Sequence, residues 1–337
     1  MIAIERLISA ARKRLGPEGK HQWTRSALLC PLLLAGLPGN SSAAGLVQAV
    51  TGNFCSAAAA DMRTACGFDT ADNFWVKSAI CANLADADER AACEEEKRQD
   101  FADDHALCAA QYAGRADVCK DLGEARYDPV VDPANFVDPA AIGTSVAANP
   151  FLILTPGYTR IYSSPTELIT VTVTKKTVKI DGVICTVVHD ISKSGNYVNE
   201  DTDDYFAQDL QGNVWYFGEL STAYDKGELP STDGSFKAGI DGAKPGIVMF
   251  AAAQLGQEYR EEFALGEAED IAKVESLTAT ETVPAASCAG NCLKTLNFTP
   301  LEPDATENKF YVPGIGEIVS FDSADPSQRE ELVEYHY

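Results

Sequence analysis

Leu168-Ile169-Thr170-Val171-Thr172-Val173-Thr174 runs on through Lys176-Thr177-Val178-Lys179-Ile180 to Asp181-Gly182, and then into Val183-Ile184-Cys185-Thr186-Val187-Val188-His189. The period of two places β-branched residues on alternate faces of a strand. Asp-Gly between two such runs is a two-residue hairpin signal, because both turn positions need positive φ. The pattern repeats downstream. Ser194-Gly195-Asn196 marks the next turn, and residues 197–208 return through Asp209-Leu210-Gln211-Gly212 to residues 213–219. Further strands are expected near 247–250, 258–263, 268–283, 293–298, 309–312 and 317–321. Consecutive hairpins with almost no helical period predict an antiparallel β-meander of about ten strands, curled into a half-barrel or open barrel over residues 151–337.

Upstream the period changes. Residues 45–123 contain no proline and are rich in Ala, Asp, Glu and Arg, a helical composition. Thr70 and Asp86 are expected N-caps, each followed by acidic residues that suit a helix N-terminus. Six cysteines, Cys55, Cys66, Cys81, Cys93, Cys108 and Cys119, are spaced 11, 15, 12, 15 and 11 residues apart. Eleven residues return to within about 20° on a helix, so Cys55 and Cys66 share a face three turns apart and must reach across to neighbouring helices. Three disulfides are expected, with the connectivity open among fifteen pairings. A zigzag of three helices leaves Cys55 and Cys119 apart at opposite ends. Together these regions predict an α+β chain, in which an N-terminal disulfide-stapled helical segment precedes the β domain.

Between them, Asp128-Pro129, Asp132-Pro133 and Asp138-Pro139 punctuate residues 124–150, and each proline pushes its predecessor out of helix. Val130, Val131, Phe136, Val137 and Ile142 are too apolar for a solvated linker, so this connector should lie along the β domain.

The first 44 residues read as an address. Arg6, Arg12, Lys13, Arg14, Lys20 and Arg25 precede an apolar run at 27–37, and Ser42-Ala43-Ala44 supplies small residues for signal-peptide cleavage. The run, interrupted by Pro31, falls short of the roughly 18 to 20 residues that span a bilayer, so no transmembrane segment is expected in the mature chain. Removing six basic residues and the two acidic ones, Glu5 and Glu18, takes the net charge from -23 to -27. Such a charge repels nucleic acid phosphates. An exported chain meets an oxidising compartment, periplasmic or extracellular, where cysteines pair.

Several clusters invite chemistry. Trp215-Tyr216-Phe217 is aromatic on both faces of its strand, so that, with Tyr205, residues Trp215 and Phe217 are candidates to hold an apolar ligand on the concave sheet. Asp201 and Asp203 share a strand face with Tyr205, while Glu200 and Asp204 share the other. Asp201 and Asp203, joined by a neighbour such as Glu269, would suit calcium; Cys288-x-x-x-Cys292 invites comparison with copper-relay motifs but lacks an accompanying histidine, and no cofactor beyond calcium is expected. Of the β-region cysteines Cys185, Cys288 and Cys292, the economical pairing is Cys185 with Cys292. No Gly-x-Ser-x-Gly elbow or phosphate loop is present, and no pair among the many carboxylates is singled out for glycoside hydrolysis.

Tyr205-Phe206-Ala207-Gln208-Asp209 leading to Gly212-Asn213-Val214-Trp215-Tyr216-Phe217-Gly218-Glu219, with Gly242-Ala243-Lys244-Pro245-Gly246-Ile247, Gly266-Glu267-Ala268-Glu269-Asp270 and Val312-Pro313-Gly314-Ile315-Gly316, resembles exported bacterial proteins of unassigned function over roughly residues 125–322. The ending from Val283-Pro284-Ala285 through Cys292 to Gly316 also resembles periplasmic proteins with a LolA-like half-barrel. These resemblances imply a curved sheet and imply no catalytic residues. The expected role is that of an exported, non-catalytic binding protein holding a lipid or acyl chain. The alternatives are a structural or partner-binding envelope protein that uses its helices, and then a divalent-cation binder or hydrolase.

Overall fold

The computed structural model describes residues 52–225 and 228–337; the expected leader, 1–44, lies outside them. Helices α1 (Phe54–Ala82) and α2 (Ala87–Leu122) form one antiparallel hairpin. Disulfides Cys55–Cys119, Cys66–Cys108 and Cys81–Cys93 staple it, with Cα separations of 5.5 to 5.8 Å. In each pair the two residue numbers add to the same total, as an antiparallel register requires. The palindromic spacing is therefore the mark of two helices with nested bonds, and the zigzag of three is set aside.

Thr70 is not an N-cap. It lies buried inside α1, its hydroxyl 3.5 Å from the Cys108 sulfur, because the nested bonds hold α1 beside α2 on either side of Gly67 and no boundary forms there. Asp86 does cap α2, accepting from the N–H groups of Asp88 and Glu89. Leaving α2, Glu124 turns back to the start of α1: its carbonyl accepts from the Phe54 N–H and its carboxylate from the Ser56 N–H and hydroxyl. The last residues of one helix thus supply the cap that the first turn of the other lacks.

The connector hugs the β domain. Asp132 and Asp138 each cap a one-turn 3-10 helix, and the Val137 N–H donates to Gln208 O at 2.9 Å. Asn149, fully buried, accepts from the Phe151 and Leu152 N–H groups and donates to Gly212 O. Val137 and Ile142 are buried as expected, whereas Val130 remains exposed.

The strands are β1 (Thr159–Ser163), β2 (Leu168–Ile180), β3 (Val183–Ser194), β4 (Tyr197–Gln208), β5 (Val214–Asp225), β6 (Glu228–Ser231), β7 (Lys244–Met249), β8 (Glu258–Arg260), β9 (Glu262–Phe263), β10 (Ile271–Val283), β11 (Ala286–Phe298), β12 (Thr306–Val312), β13 (Gly316–Asp322) and β14 (Arg329–His336). All join one antiparallel sheet in the order β8-β10-β11-β12-β13-β14-β1-β2-β3-β4-β5-β7-β9, with β6 appended to β5. Asp181 and Gly182 both take positive φ, 47° and 87°, at the β2–β3 hairpin, the conformation their sequence signal demands. The two ends of the strand order, β8 and β9, are separated in sequence only by Glu261. A single bent segment therefore supplies both edges and brings the sheet almost to closure. A Cβ on Gly246 would lie 2.3 Å from Glu261 O, so the approach of β7 to this bend depends on glycine.

The structure has β1, β6 and β14 beyond the expected strands. β14 buries only Leu332 and carries charge on both faces, so it shows no alternation; its place follows from pairing β13 to β1, which joins the end of the domain to its beginning.

Two apolar clusters occupy the two sides of the sheet. The larger fills the barrel with residues such as Ile169, Val171, Val173, Phe206 and Tyr216. The smaller lies outside β2–β5, where Ile180, Val183, Cys185, Val187, Tyr205 and Phe217 are covered by Val131 and Phe136 of the connector. The Cys185–Cys292 pairing is not formed. Cys185 is a buried free thiol in the outer cluster, and Cys292, in the larger one, bonds Cys288. Between β3 and β11 stand five strands at ~4.8 Å spacing, far beyond disulfide reach. The Cys288–Cys292 bond closes a bulge in β11, where Ala279 faces Cys292 and Thr280 faces Ala289, leaving Gly290 and Asn291 extruded.

Candidate functional site

The hairpin docks on the barrel through a few strong contacts. Arg115 of α2 forms a two-pronged ion pair with Glu269 at 2.6 and 2.9 Å, both side chains nearly fully buried. The Gly266 N–H also donates to Glu269, Gln111 donates to Leu301 O, and Tyr127 donates to Pro245 O. At Gly114 a Cβ would meet Pro300 at 3.2 Å, so a glycine permits the close helix approach there.

Between hairpin and barrel these contacts leave a cavity of about 670 Å³, within the ~300 to 1,000 Å³ range of small-molecule sites. The stapled hairpin end supplies Phe54, Ala58, Ala59, Val118 and Leu122; the barrel rim supplies Trp215, Ile247, Phe250, Tyr259 and Phe263. Polar groups converge at its edges: Arg115, Arg126, Lys244, Arg260, Asp128 and Glu269. The Cys55–Cys119 bond is itself part of the wall.

Of the three residues expected to contact a ligand, only Trp215 reaches this cavity. Its indole N–H donates to Asp209, whose carboxylate also accepts from the Gln211 and Asn213 N–H groups, so the β4–β5 turn fixes the ring. Phe217 is fully buried under the Phe136 ring, centroids 5.5 Å apart. Tyr205 is buried in the same outer cluster with Lys237 over its ring. Both are on the convex side, the opposite face from the concave surface expected to hold the ligand, because the connector rather than a ligand covers that face. Arg115, Arg260 and Phe54 carry no recognisable signal in the sequence; helix packing and barrel closure bring them together.

Glu269 is engaged by Arg115, away from Asp201 and Asp203, which face His189: the Asp203 carboxylate lies 2.9 Å from Nδ1 and Asp201 3.8 Å from Nε2. Among the described residues no three His, Cys, Asp or Glu side chains gather as a metal site. The expected alternation of the acidic run does hold, for Glu200 and Asp204 point inward.

That inner face carries a second polar cluster. The Tyr216 hydroxyl bridges Asp204 at 2.7 Å and Glu219 at 2.9 Å, and the Thr202 hydroxyl bridges the Glu200 carboxylate and the Ser221 hydroxyl. Burial, with the charge of Glu200 nearby, raises the Asp204 pKa to about 7, partly offset by the Tyr216 hydrogen bond. Burial and the neighbouring Asp204 carboxylate push Glu219 well above the usual range. Across the barrel, burial raises Glu261 to about 8, although Asn297 donates to it at 2.6 Å. These groups hold protons inside the fold near neutral pH.

No described helix is long and apolar enough to cross a membrane. No family model and no curated protein matches the chain. Two solved structures are similar at a distance. A candidate exported protein with a YmcC-like fold from Bacteroides fragilis shares 12% identity at a TM-score of 0.32, covering 56% of this chain and 98% of its own. A candidate lipoprotein from Parabacteroides distasonis shares 11% at a TM-score of 0.30, covering 57% of this chain and 100% of its own.

Proposed function

We propose that this chain is an exported, non-catalytic binding protein that holds an apolar small molecule in the cavity between its stapled hairpin and its barrel. The observation that carries this reading is the cavity itself: about 670 Å³, walled by aliphatic and aromatic side chains from a disulfide-stapled hairpin and from the barrel to which a buried ion pair ties it. Export is supported by the basic leader followed by an apolar run, and by four disulfides, which persist in oxidising compartments. The test is organic extraction and mass spectrometry of the purified full chain, alongside titration with cis-parinaric acid. A bound lipid or a saturable fluorescence increase is expected; the absence of both overturns the reading.

A partner-binding role for the hairpin is favoured by one observation. Phe68, Trp75, Val76 and Ile80 are exposed on α1, a concentration of apolar surface that often marks an interaction site. Trp75→Asp should then abolish co-purification of a partner without altering the melting curve; unchanged co-purification removes this reading.

A further inference from the structure

The cavity wall contains a cation whose charge the protein does not answer in kind. Arg260 lines it, with its guanidinium carbon 5.6 Å from the Tyr127 ring centroid and 5.1 Å from that of Phe263. The one side-chain hydrogen bond of Arg260 among the described residues runs to the Cys55 sulfur at 3.9 Å, and sulfur is a weak acceptor. The other cations at the cavity are differently placed. Arg115 is paired with Glu269 through Nε and Nη2, Lys244 is paired with Asp128 at 2.6 Å, and Arg126 lies exposed over the Phe54 ring. Glu269 acts on Arg260 through its charge, but its oxygens are taken by Arg115 and the Gly266 N–H.

Among the described residues no carboxylate oxygen comes within 4 Å of Arg260, in a chain holding 50 acidic residues. Placing a guanidinium against apolar walls is costly unless an anion meets it. Burial accordingly pushes its pKa down. Two aromatic rings lie beside the planar group, and among the described residues only its Nη2 has a hydrogen bond, the weak one to sulfur, so N–H groups remain for a carboxylate or phosphate, which a guanidinium meets through two parallel bonds.

Resting on the cavity reading above, we propose that the ligand is an anionic amphiphile, its head group gripped by Arg260 and its chain laid against Phe54, Val118, Leu122 and Ile247. The experiment displaces cis-parinaric acid from the full chain with palmitate, methyl palmitate and hexadecyl phosphate, in the wild type and in Arg260→Met and Arg260→Lys. Palmitate or hexadecyl phosphate should displace the probe at least about tenfold better than the ester, with the stronger of the two naming the head group. Arg260→Met should erase the difference and Arg260→Lys should retain part of it. Equal displacement by acid and ester overturns the head-group assignment while leaving the cavity reading standing. Failure of the probe to bind at all overturns both. An acid preference unchanged in a folded Arg260→Met overturns the role of Arg260; should that variant misfold, the acid-to-ester ratio of the wild type and its decline with salt decide.

Discussion

Arg115 and Glu269 form the contact on which hairpin docking depends, and their burial sets what each substitution does. Arg115→Ala should cost about 3 to 5 kcal/mol in urea denaturation, because it leaves a buried carboxylate without its cation. Replacing both partners, Arg115→Met with Glu269→Leu, should restore most of that loss, since the desolvation of two charges is then avoided. Glu269 had every sequence attribute of a metal ligand: an acidic residue in a Gly-Glu-Ala-Glu-Asp run, near other carboxylates in number if not in space. Its partner lies 154 residues away. No local pattern encodes such a pair. Asp209, by contrast, announces its role, because an Asp three residues before Gly-Asn is placed to accept from the N–H groups of its own turn, which its Oδ1 does while Oδ2 is left for the Asn213 amide and the Trp215 indole.

At the level of elements, the hairpin is legible from its cysteines and the barrel from its turns. Cys55→Ser with Cys119→Ser removes the outermost staple, and loop-closure entropy predicts a loss of about 3 kcal/mol while the inner two bonds remain. The same variant opens one wall of the cavity, so probe affinity should fall more than stability alone explains; an unchanged affinity would show that the cavity is not the binding site. Barrel closure depends on β7. Gly246→Ala drives a methyl into the Glu261 carbonyl, and a loss of about 1 to 3 kcal/mol is expected, as for an overpacked core, read as a lower urea midpoint with an unchanged m-value. Strands β2 to β5 follow the sequence closely because each joint is a two- to five-residue turn. Strands β1 and β14 pair across 170 residues or so, and nothing local marks them as neighbours.

For the molecule as a whole, the interior carboxylates reverse the usual dependence of stability on pH. Asp204, Glu219, Glu261 and Glu307 have their pKa values raised by burial. A carboxyl whose folded pKa exceeds its unfolded one favours the native state at pH values below the unfolded pKa, and that contribution is lost as pH rises through the folded value. With Asp204 near 7 and Glu261 near 8, the melting temperature should be highest in mild acid and fall by about 5 °C or more between pH 5.5 and 8.5. Asp204→Asn should flatten the part of this profile near pH 7. A melting temperature that instead rises across that interval would show that these groups are ionised in the native protein.

The sequence by itself determined the helical and β character of the two parts, the number of helical disulfides, the hairpin turns from β2 to β5 and the strand faces of the acidic run. Apart from the disulfides, whose number follows from an even count of cysteines in one helical region, these depend on residues within a turn or a strand repeat of one another, where spacing and steric preference act directly. Only the tertiary structure decided which cysteines bond in the sheet, what Glu269 meets, and where a ligand could lie. The outer cluster shows why. Tyr205 and Phe217 satisfy every local criterion for a binding face, but burial of that face depends on a connector whose path is set by Asn149, Gln208 and Phe136 meeting from distant positions. The cavity arises instead where the stapled hairpin docks against the barrel through the buried Arg115–Glu269 pair, a juxtaposition that no single stretch of chain encodes.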